Sequence, residues 1–173
     1  MAGKTIASEP GDMVSVAIGQ WAVAAAPSRL RTLLGSCVGV VLYDRNGRVG
    51  GLAHVVLPDS RGAIDHPGKY ADTAVPALIA EIERRLGGGS ADRLLAKLTG
   101  GASMFPPGTP SPNSSAAWNI GRLNQEAVEA ILAVHRIPIL ARDLGGDGGR
   151  NVIFDPASGI VSIRTPGGAE REI

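Results

Sequence analysis

The sequence predicts a single α+β domain, a mostly antiparallel or mixed β-sheet packed with two main α-helices. Three observations carry this. Val-rich apolar runs of strand length dominate both ends of the chain, amphipathic helical stripes occur in only two places, and the inferred order is three strands, helix, strand, helix, three strands. That order lacks the strict β–α alternation of a doubly wound fold. The length of 173 residues suits one domain, and neither an internal repeat nor a dividing linker is visible.

Residues 1–12 are polar and contain Pro10 and Gly11, so they are expected as a flexible N-terminal tail, with one domain over 13–173. MVSVAIGQWAVAA, over 13–25, reads as one strand or as two short ones bent at Gly19. AVAAAP nearby resembles a signal-peptide cleavage region. The acidic Glu9 and Asp12 stand where such a peptide carries basic residues, and the apolar stretch is too short to span a bilayer. The run over 33–43 has the composition of a strand buried on both faces. DRNGR supplies an Asn-Gly turn, and 49–57 is the returning strand, ended by Pro58.

Over 69–86, Tyr70, Ala74, Val75, Leu78, Ile79, Ile82 and Leu86 fall on one helical stripe, with Pro76 marking a start or a kink and Gly87 the stop. A strand is expected over 93–99 and a Pro/Ser loop over 106–112. A second helix is expected over 124–134, and short strands over 137–143, 151–155 and 160–165.

Composition excludes several functions. The net charge of +1, with no long basic run, gives no electrostatic footprint for nucleic acid or for an anionic membrane surface. A lone cysteine cannot form an internal disulfide or a Cys-rich zinc site, and it fits a reducing cytoplasm. No phosphate-loop motif GxxxxGK[ST] occurs, and no cofactor is implied.

The lone Cys37 therefore carries most of the chemical question. Free cysteines often only pack. Here Gly35 and Ser36 precede it, leaving backbone amides unobstructed beside the sulfur as donors to an oxyanion. Seventeen residues on comes His54. A two-residue turn at Asn46–Gly47 places Cys37 opposite Val56, with His54 a diagonal neighbour on the same face, roughly 7–8 Å away. A turn one residue earlier puts the pair directly opposite. A three-residue loop centred on Asn46 puts them on opposite faces.

A thiol with a pKa of about 8.5 is mostly protonated at neutral pH. A neighbouring imidazolium would favour the thiolate and later protonate a leaving group. Thr32, Ser36 and Asp59 are candidates to orient the imidazole. His66 sits in a polar loop and His135 at a helix end, where solvated roles suffice. Cys37 and the three histidines match no compact zinc-ligand spacing, so no metal is expected.

LGSCVGVVLYD, GGLAHVVLPDS, HPGKYADTAVPALI, LTGGASMF, NIGRLN and DLGGDGGR, in that order, resemble the bacterial chemoreceptor glutamine deamidases, the CheD family. The resemblance covers the chain from about Val14 to Thr165. It implies hydrolysis of selected glutamine side chains in methyl-accepting chemotaxis receptors to glutamate and ammonia, with Cys37 as nucleophile and His54 as its partner. The family threonine lies six residues before the cysteine, where this chain has Arg31. Thr32, at five, is its nearest counterpart and completes the implied catalytic set. NIGRLN departs from the usual NIGARN-like pattern at Arg122 and Leu123, and the loop over 106–117 is longer than usual.

The same thioester chemistry would cleave a methyl ester of glutamate, a methylesterase side activity, and the resemblance further implies, in several bacteria, binding of CheC-type phosphatases. Two readings compete with the deamidase: a catalytically silent module that binds such a phosphatase, and a Cys–His amidase or esterase acting on another protein. A protein substrate calls for a shallow, open site.

Overall fold

The computed structural model describes residues 10–63, 65–103 and 114–173. The elements run β1 (Met13–Ser15), β2 (Trp21–Ala25), β3 (Arg29–Leu34), β4 (Val38–Asp44), β5 (Val49–Val55), α1 (Ala71–Leu86), β6 (Leu95–Gly100), α2 (Ser114–Val134), β7 (Ile139–Leu144), β8 (Arg150–Asp155), β9 (Ile160–Arg164) and β10 (Glu170–Glu172), with a 3₁₀ turn at Ala91–Arg93. The strands form two mixed sheets. A central sheet has the order β2-β5-β4-β6-β7 and an outer sheet the order β1-β3-β8-β9-β10. The α+β class is as expected, while the expected single sheet is two sheets laid face to face.

Burial explains the layering. Every residue of β4 and β5 is buried. One face of the central sheet packs Val38, Val40, Leu42, Ala53 and Val55 against α1 and α2 through Val75, Leu78, Ile82 and Leu132. The other face packs Val41, Tyr43 and Leu52 against Leu30, Val152, Phe154 and Ile163 of the outer sheet. A strand covered on both faces has no polar side, which is why these segments read as continuous apolar runs. The outer sheet is covered on one face only. In β3, Leu30, Thr32 and Leu34 turn inward while Arg29, Arg31 and Leu33 alternate outward.

The hairpin register matches the two-residue turn. Asp44 pairs with Val49 and Val38 with Val55. Asp44 holds the turn, its Oδ1 accepting the amides of Asn46 and Gly47 at 2.8 and 3.2 Å and its Oδ2 accepting from Arg93.

Several expected elements are revised. The run over 33–43 is not one strand: the chain leaves the outer sheet at Leu34, crosses residues 35–37 and enters the central sheet at Val38. Leu33 faces outward, so an apolar run does not by itself mark continuous burial. The segment over 13–25 is two strands, and they belong to different sheets. The second helix begins at Ser114, ten residues earlier than its apolar stripe suggests. α1 starts five residues before Pro76 and runs through it. β10 is not expected from the sequence because three residues, Glu170–Glu172, carry no periodicity.

Residues 1–9 of the expected tail lie outside the described residues, as does the loop over 106–112. Gly11 and Asp12 are tied down, the Gly11 amide donating to Ser28 Oγ at 3.3 Å and the Asp12 carbonyl accepting from the Arg29 amide at 2.9 Å. Among the described residues no helix is long and apolar enough to cross a membrane.

Candidate active site

The crossing between sheets creates the site. Cys37 ends the crossing, one step before the paired part of β4, and is only 9% exposed. His54 lies near the end of β5, opposite Gly39. Its backbone is held on its other edge, its amide donating to the Gln20 carbonyl at 2.8 Å and its carbonyl accepting from the Gly19 amide at 3.1 Å. Thr32 projects inward from β3 in the outer sheet. The two sheets thus bring Thr32 and His54 together across the layer, with Thr32 Oγ1 2.8 Å from His54 Nδ1.

The hydrogen bonds determine the tautomer. Thr32 Oγ1 donates its single proton to the Val16 carbonyl at 2.8 Å. It therefore accepts from His54, so Nδ1 carries the imidazole proton and Nε2 of the neutral ring keeps its lone pair. Burial lowers the His54 pKa to about 4, so the ring is neutral at neutral pH. Burial also raises the Cys37 thiol above its ordinary value, against the opposing pull of its own backbone amide. Both shifts favour the neutral thiol and imidazole over the thiolate and imidazolium expected from the sequence.

Cys37, His54, Thr32, Gly35, Ser36 and Asn151 line one cavity of about 740 Å³. Its rim carries two strongly exposed apolar side chains, Leu33 at 72% and Ile18 at 66%. Leu33 and Asn151 also border a neighbouring cavity of about 500 Å³ that runs on towards Arg164 and Gly168. Such an open, partly apolar trough suits a protein surface better than a small metabolite.

Of the three candidates to orient His54, Thr32 occupies that place. The Asp59 carboxylate instead accepts the Arg61 amide at 2.7 Å, and Ser36 lies in the crossing itself. His66 is exposed beside Asp65, and His135 follows α2 on the surface. Among the described residues no group of three or more His, Cys, Asp or Glu side chains gathers as a metal site.

Sequence reasoning misses the residues that hold the crossing. The Gly101 amide donates to the Cys37 carbonyl at 2.7 Å and the Ala102 amide to the Gly35 carbonyl at 2.9 Å. Asn124 Nδ2 reaches the Val56 carbonyl at 2.9 Å and the Ser36 carbonyl at 3.5 Å. LTGGAS and NIGRLN are the available signals, since both motifs stand out in the sequence without a role. The Val16 carbonyl leaves no signal, because a backbone acceptor is the same in every residue.

The sequence comparisons with known proteins agree with one another. A family model described as CheD chemotactic sensory transduction matches residues 56–165. The chain is 50% identical over 157 residues to a probable chemoreceptor glutamine deamidase CheD of Desulforamulus reducens, covering 89% of this chain and 91% of that one. It is 45% identical over 163 residues to the protein of the same description from Clostridium kluyveri, covering 92% and 97%. It is 44% identical over 157 residues to the chemoreceptor glutamine deamidase CheD of Thermotoga maritima, covering 90% and 94%. The family model begins just after His54, whereas these relatives each match about nine-tenths of the chain and so take in Cys37 and His54. Among solved structures, a Neisseria meningitidis protein of family DUF152 is 12% identical with a TM-score of 0.46, over 79% of this chain and 64% of that one.

Proposed function

The chain belongs to the CheD family, and from that premise we propose that it is a chemoreceptor glutamine deamidase working through Cys37 and His54. The observation that carries the chemistry is the Thr32–His54 hydrogen bond inside a cavity that Cys37 also lines. It leaves an imidazole with a free basic nitrogen in the same cavity as the thiol.

In this reading, His54 Nε2 takes the Sγ proton as Sγ bonds to the glutamine side-chain carbonyl carbon. The carbonyl electron pair moves onto oxygen, and the backbone amides of Ser36 and Cys37, with Gly35 keeping the approach clear, bind that oxyanion. The imidazolium, its Nδ1–H still held by Thr32, returns the proton to the departing nitrogen. The C–N bond breaks, ammonia leaves and a thioester remains. His54 then takes a proton from water as the water attacks the thioester, the S–C bond breaks, the thiol is reprotonated and glutamate is released. A glutamate methyl ester would follow the same route with methanol leaving, which supports a methylesterase side activity.

The substrate is a methyl-accepting chemotaxis receptor, in keeping with the relatives' descriptions and with the apolar rim formed by Leu33 and Ile18. The compartment is the cytoplasm, where a lone cysteine stays reduced.

The test is mass spectrometry of a receptor methylation-region fragment incubated with the native chain or with Cys37→Ala. Native protein should replace glutamine NH₂ by OH and release ammonia, and the variant should do neither. No conversion of a competent fragment by folded native protein would move the reading to a silent module binding a CheC-type phosphatase. Conversion by Cys37→Ala would overturn the thioester route.

A further inference from the structure

LTGGAS and NIGRLN have no part in the proton transfers above, yet both touch the crossing that carries Cys37. All three of its carbonyls accept hydrogen bonds from the protein side: Gly35 from the Ala102 amide, Ser36 from Asn124 Nδ2 and Cys37 from the Gly101 amide. In a trans peptide the C=O of one residue and the N–H of the next share a plane and point in opposite directions. Drawing the Gly35 carbonyl towards Ala102 therefore turns the Ser36 N–H away from the protein interior. Drawing the Ser36 carbonyl towards Asn124 does the same for the Cys37 N–H. Neither amide donates to a backbone carbonyl among the described turn and loop hydrogen bonds.

We propose that Asn124 is a positioning residue that aims the Cys37 amide into the active-site cavity as an oxyanion donor. The inference rests on the deamidase reading. Asn124 is completely buried on α2. Its two N–H groups serve two carbonyls, that of Val56 on the His54 side of the hairpin and that of Ser36 on the cysteine side. One side chain thus ties both halves of the site to the helix. Its own Oδ1 is buried with no hydrogen-bond partner among the described residues. A buried acceptor left bare is a cost that an apolar residue of similar size would not carry, so the donor end is what Asn124 contributes.

The neighbouring contacts have the same sense. Gln125 Nε2 donates to the Gly101 carbonyl at 3.1 Å. A Cβ on Gly121 would stand 2.5 Å from that carbonyl, so α2 approaches the Gly101 turn as closely as a backbone permits.

The experiment compares native chain, Asn124→Ala and the near-isosteric, donor-free Asn124→Leu in three assays: steady-state deamidation of a receptor fragment, alkylation of Cys37 by iodoacetamide, and thermal unfolding. Alkylation uses the same thiol but forms no oxyanion. Both variants should lose about 100-fold in kcat, the cost of one oxyanion donor, with KM and the alkylation rate close to native. An unchanged kcat overturns the proposal. So does a parallel fall in kcat and alkylation, which marks general loosening of the site.

A second measurement needs no variant. A peptide bearing an aldehyde in place of the glutamine amide should form a hemithioacetal with Cys37 of the native chain, and the amide protons of Ser36 and Cys37 should move downfield in the NMR spectrum. An adduct that leaves the Cys37 amide unmoved overturns the proposal even if both variants fail to fold. Native protein that converts no glutamine refutes the deamidase reading, and the aldehyde adduct still decides where the Cys37 amide points.

Discussion

Thr32 Oγ1 lies 2.8 Å from His54 Nδ1 while donating its own proton to the Val16 carbonyl at 2.8 Å. The threonine is thus an acceptor to the histidine, and it selects the tautomer whose Nε2 is basic. Thr32→Val keeps the shape and removes the acceptor. The buried Nδ1–H then has no partner, at a cost of about 1–3 kcal/mol. Deamidation should fall about 100-fold, within the range that a positioned base supplies. Thr32→Ser should keep most of the rate. A fully active Thr32→Val would remove the threonine from the catalytic set.

The same burial makes His54 a source of acid lability. Its pKa drops from 6.5 to about 4 on folding, so the unfolded chain binds the extra proton first. Stability from keeping this histidine neutral is fully present above pH 6.5 and is lost as the pH falls towards 4. The loss is about 3 kcal/mol over that window. Urea unfolding of native chain and His54→Gln, at about pH 7 and again near the acid end of that window, should show a much smaller pH effect in the variant. Equal pH effects would place the acid sensitivity elsewhere.

Cys37 should react as a buried thiol. Desolvation raises its pKa despite its own backbone amide, so alkylation by iodoacetamide should have its pH midpoint above that of free cysteine, about 8.5. A midpoint below that value would indicate a resting thiolate–imidazolium pair. Catalysis at neutral pH would then start from a preformed nucleophile instead of proton transfer to His54 on substrate binding.

Gly100 shows how little space the crossing leaves. It has φ +104° and a Cβ there would stand 2.3 Å from the Cys37 carbonyl oxygen. Gly87, the αL cap of α1, has φ +79° and open space within 4 Å of where a Cβ would stand, so alanine there meets only backbone strain, about 1–2 kcal/mol. Gly100→Ala should cost more than that, toward about 3 kcal/mol, and abolish deamidation. Matching unfolding midpoints for the two variants, with activity retained in Gly100→Ala, would show that the crossing can shift without consequence.

The parts of the fold written in local chemistry are legible. Asn46-Gly47 between two apolar runs yields a turn, and its length sets the register that aligns Val38 with Val55. The Val-rich runs of β4 and β5 are what a sheet covered on both faces requires. The ordered motifs point to the family without any structure. By contrast, the sequence pattern places the start of α2 ten residues late, because its first turns lack the apolar stripe that marks 124–134.

By itself, then, the sequence determined the α+β class, the hairpin joining the cysteine and histidine segments, and the family resemblance. Each depends on residues close together in the chain, or on motif order. Tertiary structure alone decided that residues 35–37 leave one sheet for the other and that Thr32 faces His54. It also decided that burial raises the pKa of the thiol and lowers that of the imidazole, and that Asn124 and Gly101 hold the Cys37 turn from behind. These depend on how two sheets and a helix pack, and packing distance is not encoded in any short stretch of chain.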